Sequence, residues 1–149
     1  MNISSNDYPD EEAADTFYLL TTTSRILKFE FDKRLASLDL PIPLSGARLR
    51  LLMEVWKAEH IRMNELAAVM DLKPRTITDF VNALEENGLI QRTVDPTDRR
   101  ATILSLTDKA KPHIRTIRSI SEEISEKLMA KLTVEQRRQM REMLHVLVE

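Results

Sequence analysis

The 149-residue chain contains no cysteine, which excludes disulfides, thiolate metal sites and peroxide sensing through a thiol. It has only two glycines and no glycine-rich phosphate loop. No nucleophile stands near a base in a known catalytic pattern, so an enzyme is not expected. Aromatic residues are 5% of the chain and charged residues 31%, a balance that favours helix over sheet. No apolar run approaches the ~20 residues of a membrane span, and the N-terminus is acidic rather than basic and apolar. The expectation is a soluble cytoplasmic protein without a membrane partner. Excess positive charge is also lacking. The formal net charge is −2, so affinity for nucleic acid has to come from where the arginines sit, not from their number. His60, His113 and His145 lie far apart with no nearby carboxylate at metal-ligand spacing, so neither a metal nor any other cofactor is expected.

A chain of this length forms one domain, or one domain with dimerisation arms, and can bury about 70% of the surface its unfolded form exposes. Residues 1–9 are polar and read as a frayed tail. A long helix is predicted from Asp10 to about Leu38, with Phe17, Leu20, Ser24, Leu27, Phe31 and Leu35 at spacings of three and four. Leu40-Pro41-Ile42-Pro43 breaks it, because two prolines two apart cannot both lie inside a helix. Ser45 caps the next helix, Gly46 to about Glu59, with Leu49, Leu52, Met53 and Trp56 turned inward. A short helix over Asn64 to Met70 follows, then a three-residue connection, Asp71-Leu72-Lys73. Pro74 opens another helix at the position where its missing N–H costs nothing, and Gly88 closes it with a left-handed cap. Ile90 to Val94 and Ala101 to Leu106 read as the two strands of a hairpin. Thr107 caps a last helical region carrying Ile114, Ile117, Ile120, Ile124, Leu128 and Leu132 on one stripe, with Pro112 predicting an early kink or a delayed start. Thr133-Val134-Glu135-Gln136 is a capping box that starts one more helix.

In the helix over residues 74–87, Ile77, Phe80, Val81 and Leu84 follow the i, i+3, i+4, i+7 rule and face the core. The opposite face then carries Arg75, Asp79, Asn82 and Glu86, with Thr76 and Thr78 on its flanks. Arg75, Thr76 and Thr78 crowd the N-terminal turn, the end that a helix-turn-helix presents to base edges. Arginine bonds guanine at two points, threonine offers a hydroxyl and a methyl group, and Asp79 could accept from cytosine. A solvated face of an ordinary amphipathic helix would look the same, so this helix alone does not decide.

The hairpin adds what the helix lacks. It closes not on two residues but on Asp95-Pro96-Thr97-Asp98-Arg99-Arg100, in which Pro96 stiffens the turn and Asp98 can pair with or orient an arginine. An arginine on a rigid tip can enter a narrow minor groove. The bland reading is a surface turn with a local ion pair, which is worth about 0–1 kcal/mol.

At Glu65-Leu66-Ala67, Leu84-Glu85-Glu86-Asn87-Gly88-Leu89-Ile90, and Asp95-Pro96-Thr97-Asp98-Arg99-Arg100 followed by Leu104-Ser105-Leu106-Thr107, the chain resembles the MarR family of bacterial transcription regulators. The motifs span about residues 62–107, and the order of helices extends the likeness over nearly the whole chain. The resemblance implies a mainly α fold with a small β-hairpin wing. In it, a winged helix-turn-helix lobe (about 45–107) is flanked by dimerisation helices (about 10–38 and 108–149) within a single 1–149 domain. It implies a homodimer on a pseudo-palindromic double-stranded operator, and a repressor released by a small aromatic or phenolic effector. Site residues follow: Lys73, Arg75, Thr76, Thr78, Asp79 and Asn82 for the major groove, and Asp98, Arg99 and Arg100 for the wing, one arginine entering the minor groove. Two departures stand out: Asp79 occupies a position where many relatives are basic, and Arg62 one where a Ser or Thr cap is usual.

Met140, Met143, Leu144 and Leu147 are hard to bury in so small a monomer, which favours isologous dimerisation over packing within one chain. The effector is not legible: the resemblance implies a pocket between arms and lobe, but no residue constellation marks it, and Trp56 reads as core rather than ligand platform. The competing function is a winged-helix module for protein contact without DNA. Salt separates the two, since DNA affinity falls steeply with salt in proportion to the phosphates neutralised.

Overall fold

The computed structural model describes residues 11–40 and 44–149; the tail expected at residues 1–9 and the break at Pro41-Ile42-Pro43 lie outside them. In chain order the elements are α1 (Glu11–Ala36), α2 (Gly46–Ala58), β1 (Ile61–Arg62), α3 (Met63–Met70), α4 (Pro74–Glu86), β2 (Ile90–Val94), β3 (Thr102–Leu106), α5 (Lys111–Leu128) and α6 (Val134–Val146). The fold is mainly helical with one small antiparallel sheet, as the resemblance implied. That sheet has three strands in the order β1-β3-β2 rather than the two of a simple hairpin. The extra strand pairs Ile61 with Leu104 and Arg62 with Ile103.

One continuous core joins these elements. Leu51, Leu52 and Val55 of α2, Leu66 of α3, Ile77, Val81 and Leu84 of α4, and Leu104 of β3 are essentially inaccessible to solvent. Leu35 of α1 and Ile114, Ile117 and Ile124 of α5 complete it, so the C-terminal end of α1 and one stripe of α5 carry the apolar anchor of the arms to the lobe. Trp56 corrects the expectation of an inward ring: it is 39% exposed, and the Arg118 guanidinium lies 5.7 Å from its ring centroid. The buried stripe of α2 centres on Leu51, Leu52 and Val55, which leaves Trp56 at its edge.

Local signals account for the helix ends. Ser45 Oγ accepts the Arg48 N–H at 3.3 Å to cap α2, and Glu65 accepts the Arg62 N–H at 3.1 Å at the start of α3. Asp71 stands in the left-handed region (φ +51°) to turn the chain from α3 to α4, a conformation its short polar side chain tolerates. Gly88 (φ +71°) closes α4: its N–H donates to Glu85 O at 2.8 Å and that of Leu89 to Leu84 O at 2.9 Å, a Schellman arrangement. Pro112 delays α5 to Lys111 rather than kinking it. Thr107 bridges the gap, its Oγ1 donating to Gly88 O at 2.6 Å and accepting from the Ala110 N–H at 3.1 Å. The capping box of α6 is formed in both directions, with Gln136 Oε1 accepting the Thr133 N–H and Thr133 Oγ1 the Gln136 N–H.

Candidate nucleic-acid interface

Helix α4 and the hairpin tip supply the candidate surface. Burial of Ile77, Val81 and Leu84, with Phe80 half-buried, turns Arg75, Thr78, Asp79, Asn82 and Glu86 outward and leaves Thr76 half-buried. Lys73 is the N-cap residue of α4 and its side chain makes no capping hydrogen bond. The first-turn amides of α4 therefore lack a side-chain acceptor at an exposed helix N-terminus, where Pro74 removes one donor and the helix dipole favours an anion. Thr78 Oγ1 donates to Pro74 O at 2.9 Å, which spends its proton and leaves its oxygen lone pairs as acceptors.

A second network ties α4 to the hairpin. Arg92 of β2 reaches back across the helix, donating through Nη2 to Asn82 Oδ1 at 2.6 Å and pairing through Nη1 with Glu85. Asn82 thus has its carbonyl oxygen engaged, with its amide hydrogens still available. Asp79 forms no ion pair among the described residues.

The hairpin tip is stiff at its root and open at its end. Asp95 N–H donates to Ala101 O at 3.0 Å, continuing the ladder beyond Val94 and Thr102. Asp95 is 3% exposed and its carboxylate is fully engaged: Oδ1 accepts from Thr97 N–H at 2.8 Å and Thr97 Oγ1 at 2.7 Å, and Oδ2 accepts from Arg62 Nε at 2.7 Å, with Arg62 Nη2 2.6 Å away in the same ion pair. The Thr97 hydroxyl and amide, and then the Arg62 guanidinium, hold the Asp95 pKa well below the usual carboxylate range, at about 2. Of the two outcomes expected for Asp98, pairing with an arginine or orienting one, the structure has the second: its Oδ1 accepts the Arg100 backbone N–H at 3.0 Å and its carbonyl the Ala101 N–H at 2.9 Å. Arg99 and Arg100 are exposed and form no ion pair among the described residues.

The MarR family model matches residues 44–102, which cover α2, the helix pair α3–α4, β2 and the hairpin tip. The lobe of this chain is similar to the MarR family. Over 127 residues the chain is 24% identical to the uncharacterized HTH-type transcriptional regulator YdgJ of Bacillus subtilis (strain 168), covering 85% of this chain and 73% of that protein. Its fold is similar to that of the transcriptional repressor CouR bound to a 23-mer DNA duplex, with a TM-score of 0.80, 23% identity, and 96% and 99% of the two chains covered. It is also similar to a point mutant of E. coli MarR complexed with operator DNA, with a TM-score of 0.79, 18% identity, and 93% and 96% covered. The MarR resemblance expected from the wing motif is therefore met by family model and fold alike.

What sequence reading missed in this lobe is mostly tertiary: strand β1, the Arg62–Asp95 pair and the Arg92 bridge. Two cavities were also not legible. One of about 650 Å³ lies between α1, α2 and the α3–α4 turn, lined by Lys28, Phe31, Arg50, Met53 and Leu72 among others. Another of about 700 Å³, mostly apolar and open, lies between α1 and the α5–α6 arm, with Leu20, Leu27, Leu128, Leu132 and Leu144 on its walls.

Proposed function

We propose that this chain is a MarR-family transcription regulator, acting in the cytoplasm as a homodimer that binds a pseudo-palindromic double-stranded DNA operator and represses until a small molecule releases it. The observation that carries the DNA reading is the pairing of two surfaces on one lobe. One is an exposed, uncapped helix N-terminus with Arg75 and Thr78; the other is a rigid hairpin whose Arg99 and Arg100 stand free of carboxylate partners among the described residues. Arg75 and Thr78, with half-buried Thr76, read base edges. Lys73 and the α4 amides take phosphate, and Asp79 and Asn82 modulate the reading along the helix. Asp98 holds the turn from which Arg99 or Arg100 enters the minor groove.

The dimer rests on unpartnered apolar faces. Helix α6 has no buried residue, and Phe17 of α1 and Leu147 just beyond α6 are each 68% exposed. Two-fold pairing of such arms presents two α4 helices to half-sites about one helical turn apart. The cavity of about 650 Å³ between arm and lobe supports the effector reading, since its size suits a small aromatic or phenolic molecule. A protein-contact module without DNA is not favoured, because it gives free arginines on a braced tip no task.

The deciding experiment is selection of duplexes from a random DNA pool by the purified protein near physiological salt. The expected result is an enriched inverted repeat, bound with an affinity that falls steeply with salt. Folded, dimeric protein that enriches no sequence would overturn the proposal.

A further inference from the structure

We propose that Arg62 is the positioning residue of the wing: from β1 it holds the buried Asp95 carboxylate and so fixes the direction in which Arg99 and Arg100 leave the lobe. The inference rests on the reading of the hairpin as a DNA-contacting wing. Arg62 is placed for this twice over. Its backbone pairs with Ile103 of β3, and its side chain crosses to the end of β2, where Asp95 begins the tip. One residue thereby joins all three strands at the point where the hairpin leaves the body. Without such a brace, a two-stranded ribbon twists and bends freely about its root.

The chemistry at Asp95 leaves little slack. Three donors, two from Thr97 and the Arg62 Nε, occupy both carboxylate oxygens, Arg62 Nη2 lies 2.6 Å from Oδ2 in the ion pair, and it donates to Thr97 Oγ1 at 3.2 Å to close the ring. A buried carboxylate stripped of Arg62 would keep only the two donors of the turn itself, so the turn would hold its local shape but lose its tie to the lobe. Lysine cannot substitute fully, because one ammonium on a flexible stem does not reproduce a planar guanidinium that touches Asp95 and Thr97 together. The same position explains why α3 lacks a Ser or Thr cap: the side chain at residue 62 is committed to the wing, and Glu65 alone caps the Arg62 N–H.

The test has two arms on the full-length protein. Hydrogen–deuterium exchange without DNA, comparing the parent with Arg62→Ala, should show exchange across 95–101 speeding about tenfold while α4 stays protected. Binding to the selected duplex is then measured for the parent, Arg62→Ala, the Arg99→Ala/Arg100→Ala pair, and the triple variant. Arg62→Ala should weaken binding about tenfold in the parent and leave it unchanged in the wing-deficient background, with Arg62→Lys intermediate. An equal loss in both backgrounds would mean that Arg62 touches DNA itself, and no loss in either would mean that the brace is idle; each overturns the inference. If Arg62→Ala fails to fold, Arg62→Lys and Asp95→Asn carry the same comparison. A parent that binds no duplex would overturn the DNA reading instead, while the exchange arm would still decide whether Arg62 braces the hairpin.

Discussion

Leu147→Ala tests the proposed dimer directly. The side chain is 68% exposed in the single protomer and lies one turn beyond Met143, which is also exposed. Full burial of a leucine is worth about 1.5–3 kcal/mol, so covering the two thirds still accessible gains about 1–2 kcal/mol. An isologous interface uses each residue twice, which doubles the loss on truncation to about 2–4 kcal/mol. That corresponds to a dimer dissociation constant weakened by roughly 30- to 1000-fold. The monomer has little to lose, since Leu147 makes few contacts of its own, and circular dichroism should be unchanged. Sedimentation velocity on a dilution series from micromolar to nanomolar protein reads the constant. A variant that dissociates at the same concentration as the parent, or a parent that is monomeric throughout, would refute the assignment of this face to the dimer.

Three other substitutions probe the lobe. In Gly88→Ala the added Cβ meets only the Lys109 side chain, at 3.7 Å, so the cost is that of the left-handed backbone. That is about 1–2 kcal/mol, offset by about 0.4–1 from a stiffer unfolded chain. Urea unfolding should show a net loss near 1 kcal/mol, and a loss above about 3 would mean that the site is more crowded than it looks. Because folding depresses the Asp95 pKa from 3.8 to about 2, its stabilisation is complete above the unfolded value and disappears as pH falls through the folded one. Asp95→Asn should therefore flatten the acid limb of stability between those two values, and an unaltered slope would contradict the network drawn around Asp95. Arg75→Ala should cost about 1–3 kcal/mol of operator affinity and relax preference at one base position; uniform weakening across sequences would identify a phosphate contact instead.

Features written in neighbouring residues were legible in the chain. Pro74 and Gly88 bound α4, and Thr133 with Gln136 starts α6, because each acts through backbone geometry or a capping bond within a turn. Pro112 left two outcomes open, and the Thr107 hydroxyl favours the delayed start by bonding across the gap. The misses lie where distant residues meet. A two-residue strand has no periodicity to detect, and β1 exists only because β3, some forty residues later, offers it a partner. Arg62 reads as an awkward cap until Asp95 is beside it, and Asn82 as an unencumbered base reader until Arg92 takes its oxygen. The sequence pattern places Trp56 inward with Leu49, Leu52 and Met53; Leu49 and Leu52 are indeed buried, but Leu51 and Val55 share the stripe with them and shift it away from Trp56. The cavity beneath α1 was out of reach, since several elements build it and no local pattern marks any of them.

The knot at Gly88 and Thr107 has a mechanical consequence. The Gly88 carbonyl that closes α4 accepts the hydroxyl that starts the turn into α5, and Thr107 N–H donates to Leu89 O at 3.1 Å beside it. Helix α4 and the arm are thus geared together, with no slack linker between them. In a dimer, a change in the angle of the arms would swing each lobe as one lever and alter the pitch between recognition helices without reshaping either. Reading and spacing then become separable traits. Under the proposed function, the letters of the operator would belong to α4 and the wing, and the distance between its halves to the arms.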